Sequence, residues 1–406
     1  MIVHVDKKEI VAYVSIYTSV TLLLFKDVLP FLQSAVVQAL ILMTLVIINI
    51  KSTRIKELAG IKWYGLFAFV SIFSYLLNNK IPTIYTICNA LLYITVFSLI
   101  MANMKCIKKA FIAFSFIGLL LFVYIYLKFH SLFGYGRLGD YMEGTTYESS
   151  IQFSYYIIAI LCSSFVVAFM ENVKRCIKII AVISIVVGFL IAIFNGAKKG
   201  YITPLFFVII YTFIKNRKNA FKLCLYTSLI ILILWIVWDY LKDIDTLQKY
   251  FINRIESMFA AFVSGSGADA DGSTSERISY IPVALDAFMD SPIWGMGGLG
   301  YSTTYFLQTI GVSHPHNDFL NLLAAGGILL FIIYYWLPFK LLGKCCFNVS
   351  YKEMAIMLAL VSTLLFNNLN SSTFNIPVIN VFYIVIYKYL VYTKLYSKIR
   401  TQHRYV

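Results

Sequence analysis

The feature that most constrains this chain is a succession of apolar runs. Each is roughly 17–23 residues long, enough at about 1.5 Å per residue to cross a ~30 Å hydrocarbon layer. Approximate spans fall at 9–25, 28–50, 61–79, 81–103, 107–129, 151–170, 177–195, 200–214, 220–240, 317–339, 353–370 and 374–392. Of the 406 residues, 60% are hydrophobic and 13% charged, with a mean hydropathy of +0.80. Soluble domains carry roughly 25% charged residues, so this chain lacks the polar surface to coat a water-soluble globule. The expected fold class is all-α, a polytopic membrane helix bundle with about 12 transmembrane helices.

A net charge of +15 in a soluble protein would suggest nucleic acid or acidic partners. Here Lys and Arg collect in short segments on one side: Lys51 to Lys62, Lys105 to Lys109, Lys174 to Lys178, Lys215 to Lys222, Lys340 to Lys352, and the tail from Lys388 to Arg404. Threading the chain with both termini cytoplasmic puts most of the 34 basic residues inside, as the positive-inside rule requires. An anionic leaflet reinforces that placement, and no nucleic-acid partner is implied.

The seven cysteines lie in spans or in or near cytoplasmic loops, so no disulfide framework is expected outside. No Cys/His ligand spacing points to structural zinc. The first apolar segment has no small-residue cleavage site behind it and reads as a retained span.

This threading divides the chain into 1–240 (spans 1 to 9), 241–316 (one large extracytoplasmic loop) and 317–406 (spans 10 to 12 and a basic cytoplasmic tail). A loop of that length far exceeds ordinary connections and reads as a small structured unit. Within it, Leu247, Phe251, Ile255, Phe259 and Phe262 recur at helical spacing, predicting an amphipathic helix at the interface. Residues 264–275 read as a Gly/Ser/Asp linker. A second helix is predicted from Arg277 to Met289, stopped by Asp290-Ser291-Pro292 and followed by a glycine-rich turn.

The densest polar cluster is His314-Pro315-His316-Asn317-Asp318 with Asn321, where the chain re-enters the membrane. One reading is a helix cap beside an interfacial histidine, with Asn317 and Asn321 one turn apart on a face. A second makes His316 a base near neutral pH, aimed at a substrate hydroxyl. A third makes His314, His316 and Asp318 metal ligands, a spacing that suits a helix poorly; no metal is assigned.

Lys198-Lys199 is a second anomaly, two adjacent cations on the side the charge bias avoids. They could snorkel to lipid phosphates. Alternatively, flanked by Gly196 and Gly200, they could clamp a pyrophosphate and stabilise a departing group. Arg254 and Arg277 of the large loop could add donors suited to phosphate oxygens. The run from Gly295 to Gly300 matches GxGxxG in letters, but no βαβ unit surrounds it, so a turn is expected and not a dinucleotide site.

From Ser275 to about Leu330 the chain resembles the superfamily of O-antigen ligases and Wzy-type polymerases, bacterial membrane glycosyltransferases acting on undecaprenyl-diphosphate-linked glycans. Ser275-Glu276-Arg277, Ala284-Leu285 and Asp290-Ser291-Pro292 with Gly295-Met296-Gly297 are similar to that family's "S-x-R … A-L … D-x-P-x-x-G-x-G" run. His316-Asn317 followed by Gly327 resembles its His-Asn … Gly-x-x-Gly signature, with Leu330 in place of the second glycine. Lys199 stands where that family usually has arginine.

The resemblance implies a GT-C-like fold and a metal-independent, cofactor-free transfer in the bacterial inner membrane. By it His316 is the general base, and Arg254, Arg277 and Lys199, with Lys198 beside it, hold the donor pyrophosphate; His314, Asn317 and Asn321 are supporting residues. The implied partners are an undecaprenyl-diphosphate-linked oligosaccharide and membrane lipids, with a chain-length regulator left open. Polymerisation of lipid-linked repeat units into O-antigen or capsule is the leading expectation. Ligation of finished glycan to lipid A-core uses the same residues, and a lipid-linked-oligosaccharide flippase is the alternative of another class.

Overall fold

A computed structural model describes residues 7–50, 59–77, 84–102, 107–133, 138–145, 150–241, 253, 256, 272–296, 316–347, 352–371 and 373–402. These are almost wholly helical. In chain order the helices are α1 (Lys7–Phe25), α2 (Pro30–Gln33), α3 (Ala35–Ile50), α4 (Ala59–Leu77), α5 (Ile84–Ile100), α6 (Ile107–Phe129), α7 (Leu138–Tyr141) and α8 (Ser150–Phe169). There follow α9 (Arg175–Asn195), α10 (Lys199–Asn216), α11 (Ala220–Leu241), α12 (Gly272–Asp290), α13 (Asp318–Cys346), α14 (Lys352–Leu369) and α15 (Pro377–Gln402).

Hydropathy explains where the helices lie, and their exposed faces explain what surrounds them. The stretches Ile107–Leu132, Ser150–Phe169, Arg175–Asn195, Asp318–Cys346 and Lys352–Leu369 are long and apolar enough to cross a membrane. Shorter apolar helices lie at Glu9–Phe25, Ala35–Ile50, Ala59–Phe73, Ile87–Ile100 and Pro377–Val391. Helix α3 exposes Val36, Leu40, Met43 and Ile47, and α6 exposes Phe116, Leu120, Val123 and Leu127. Each set is one helical stripe. Water-soluble monomers rarely leave such contiguous apolar surface bare, whereas lipid covers it without penalty. The chain is an all-α polytopic membrane protein.

Helix α8 is at the centre, packed by α6, α9 and α10. Small residues permit the close approach: a Cβ on Gly118 of α6 would lie 2.4 Å from Ile160, and one on Gly188 of α9 2.6 Å from Leu161. Ser164 of α8 joins the three helices, its Oγ 2.9 Å from Ser115 Oγ and 3.1 Å from Ser184 Oγ. Phe165, Phe169, Phe207 and Tyr211 stack between α8 and α10. Helix α13 packs on α4, α12, α14 and α15. Its Pro338 cannot donate to the carbonyl of Tyr334, and in apolar surroundings that carbonyl needs a partner. Trp63 of α4 supplies one, donating Nε1 to Tyr334 O at 2.9 Å.

Three expected boundaries change. The span at 28–50 is divided at Ser34, which is extended, so Pro30–Gln33 forms its own turn before α3. The stretch 272–275, read as linker, is the first turn of α12. The tail beyond the last span stays helical to Gln402. The predicted amphipathic helix over 247–262 lies outside the described residues apart from positions 253 and 256.

Candidate active site

The site begins with a break in α13. Gly327 sits at φ 64°, ψ −167°, inside what is otherwise continuous helix. In an unbroken helix the N–H of Ile328 would bond the carbonyl of Ala324. Instead Ile328 N donates to Pro292 O at 2.8 Å, and Ala324 O accepts from Met296 N at 2.8 Å. The turn after α12 is thus inserted into the α13 ladder, and it satisfies both halves of the bond it displaces.

The glycines of that turn are needed for backbone contact. A Cβ on Gly295, which has φ 68°, would lie 2.4 Å from the carbonyl carbon of Ala325. One on Gly327 would lie 2.4 Å from the backbone carbon and oxygen of Ile293. Ala284 and Ala287 of α12 bury against Ala324 behind the interlock. The GxGxxG letters therefore begin a docking turn, at a position where two main chains touch.

This interlock holds the first segment of α13, and with it His316. The histidine lies just before the helix, half-buried, at φ 48°. Such a conformation is uncommon for a residue with a side chain and costs roughly 1–2 kcal/mol. Its ring packs beside that of buried Tyr280 of α12, with centroids 6.2 Å apart. Asn317 is the N-cap, its side chain accepting from Leu320 N at 3.1 Å, and Asn321 N bonds Asn317 O at 2.9 Å one turn on. The capping reading of Asn317 holds, and His316 stands beside the cap, half-buried.

Asp318 is fully buried, and both its oxygens are engaged. Oδ1 accepts from Thr373 N at 2.9 Å and Phe374 N at 3.2 Å. Oδ2 accepts from the Thr373 hydroxyl at 3.0 Å and Tyr335 at 3.2 Å. A carboxylate so occupied organises the turn between α14 and α15, which weighs against its reading as a metal ligand with His316.

The lysine pair sits between α9 and α10. Gly196, at φ 67°, closes α9, and its N–H bonds Ile193 O at 3.0 Å. Gly200 lies in ordinary contact with Ser154, 3.5 Å from where its Cβ would be. The flanking glycines thus serve the turn and the helix packing. Lys198 and Lys199 are half-buried at the N-terminus of α10, the end at which a helix dipole disfavours cations. Lys199 Nζ stands 3.5 Å over the centre of the Tyr155 ring and 3.2 Å from Ser371 Oγ. Asn195 ties the start of this turn to α8 through Ser150 O at 2.9 Å and Ser154 Oγ at 3.0 Å.

The turn after α14 therefore meets both motifs. Ser371 touches Lys199, and Thr373 touches Asp318, two residues past His316. Arg277 lies on α12, three positions before Tyr280. His314 and Arg254 fall outside the described residues.

Residues 183–335 match the family model described as O-antigen ligase. Over that stretch the chain is similar to the O-antigen ligase family. No curated protein matches the chain significantly. The O-antigen ligase match runs from α9 into α13 and so includes both the lysine turn and the histidine. The match supports the resemblance to the O-antigen ligase and polymerase superfamily, whose members are glycosyltransferase-like enzymes.

Several residues around the two motifs escaped sequence reasoning. Tyr155 and Ser371 contact Lys199 and Thr373 contacts Asp318, and for Ser371 and Thr373 the signal was the polar run Asn367 to Thr373 inside apolar sequence. Leu330, standing where the superfamily has its second glycine, is buried, and its side chain lies 2.3 Å from where a Cβ on Gly326 would be. The adjacent glycine thus makes room for the leucine.

Proposed function

We propose that the protein polymerises undecaprenyl-diphosphate-linked oligosaccharide repeat units into O-antigen or capsular polysaccharide at the outer face of the bacterial inner membrane. What supports this reading is that the segment after α14 touches Lys199 through Ser371 and touches Asp318, two residues past His316, through Thr373, since transfer needs a base and an anion clamp near each other. The acceptor hydroxyl attacks the anomeric carbon of the donor sugar, and His316 takes the hydroxyl proton. The bond from that carbon to the diphosphate oxygen breaks, and the electron pair leaves with the lipid diphosphate. Lys199, Lys198, Arg254 and Arg277 disperse the charge on that leaving group. The donor is already activated, so no nucleotide sugar, cofactor or metal ion enters the step.

Two cations at a helix N-terminus favour an anionic guest, because the dipole and the lysines then act in the same direction. Lys199→Gln is expected to raise the donor concentration needed for half-maximal rate by roughly tenfold, while Lys199→Arg retains activity. Donor titration of membranes carrying each variant reads both outcomes. Arg277→Ala is expected to be severe in the same assay.

The family description favours one second reading, ligation of finished glycan to lipid A-core. Expression in a polymerase-null strain separates the two. Restoration of a laddered polysaccharide supports the polymerase; a single-repeat or unattached product contradicts it.

A further inference from the structure

Among the described residues Asp318 is the only fully buried carboxylate, and burying one without donors is expensive. Its donors are concentrated in one turn, where Thr373 contributes both backbone and hydroxyl and Phe374 its backbone. Thr373 is held from the other side as well, since Ile376 N bonds Thr373 O at 2.8 Å, and its hydroxyl, with one hydrogen to share, lies between Asp318 Oδ2 and Asn368 Oδ1. Two residues of chain span at most about 7 Å, so Ser371 is that close to Thr373, and His316 to Asp318. Contacts of Asp318 with Thr373 and of Ser371 with Lys199 thus bring the two motifs to one short segment of chain.

We propose that Asp318 and Thr373 are positioning residues, a strut that sets the Lys199 ammonium against His316 by holding Thr373 and, through the chain, Ser371. This rests on the reading of His316 and Lys199 as one site. A stability role alone would make Asp318 matter for folding and leave the lysine's contribution to donor binding intact. The strut predicts that the lysine's contribution is lost with the acid. Asp318→Asn keeps the volume and an acceptor for two backbone N–H groups, but it presents an amide NH2 to Thr373 and Tyr335.

The test is a double-mutant cycle in proteoliposomes, using the lipid-diphosphate-linked repeat unit of the producing strain as donor. Asp318→Asn and Lys199→Gln are each expected to raise half-saturation by roughly tenfold, and the double variant no further than the worse single one. Fold-changes that multiply overturn the strut. If Asp318→Asn does not accumulate, Thr373→Val replaces it with the same expected non-additivity. An unchanged half-saturation in Lys199→Gln alone overturns the site reading itself. A normal Lys199 effect with multiplying fold-changes overturns only the strut.

Discussion

His316→Ala abolishes glycan transfer while the protein still inserts and accumulates. The expectation follows from where the residue stands. It lies outside α13, and the adjoining cap is made by Asn317, so truncating the imidazole leaves the capping bond in place. Alanine inherits the left-handed backbone at a cost of about 1–2 kcal/mol, similar to that borne by histidine. Losing a general base removes roughly 10²–10⁴ of rate, enough to erase a polysaccharide ladder. Immunoblotting for the protein and gel analysis of surface polysaccharide read the two halves separately. Near-normal laddering sinks the general-base assignment, and an absent protein would instead make His316 structural.

Gly327→Ala is expected to be as severe for a different reason. A side chain there adopts φ 64° and drives a Cβ to 2.4 Å from the backbone of Ile293 and 2.7 Å from Pro292 O. Neither neighbour can rotate away, because Pro292 O is the acceptor for Ile328 N. Strained backbone and overpacking together cost about 2–5 kcal/mol, a large part of a typical stability. The interlock also carries Tyr280 to His316, so activity should fall before the protein is lost. Thermal unfolding in detergent, with transfer assayed at low temperature, checks both effects. Gly65→Ala is the control: nothing lies within 4 Å of its added Cβ, and it should be neutral or slightly stabilising.

The helices were the most legible part of the sequence. Hydropathy alone places 107–129 at the observed bounds and most others within a few residues, because bilayer crossing demands long apolar helices. Breaks inside them were less legible. Gly327 stands out in the sequence only as a position of the signature, and its break of the helix shows only beside the partner turn at 292–296, while Ser34 divides a run with unbroken hydropathy. His316 and Lys199 were legible as anomalies, polar groups where the pattern forbids them. The contacts around them were not. Asp318 reaches across 55 positions to Thr373, and nothing local to either residue announces the other. The acid read as a metal ligand in one alternative because sequence shows a charge without showing its donors. Arg254 and His314 remain proposals that rest on the superfamily resemblance.

The central claim is that this bundle transfers glycan from a lipid diphosphate by its own side chains. Purified protein in proteoliposomes, given only the lipid-diphosphate-linked repeat unit and a metal chelator, tests it directly. The account predicts lengthening lipid-linked glycans, stoichiometric release of lipid diphosphate, and neither with His316→Ala. Product that requires a nucleotide sugar or a divalent ion, or that forms equally well without His316, would contradict it.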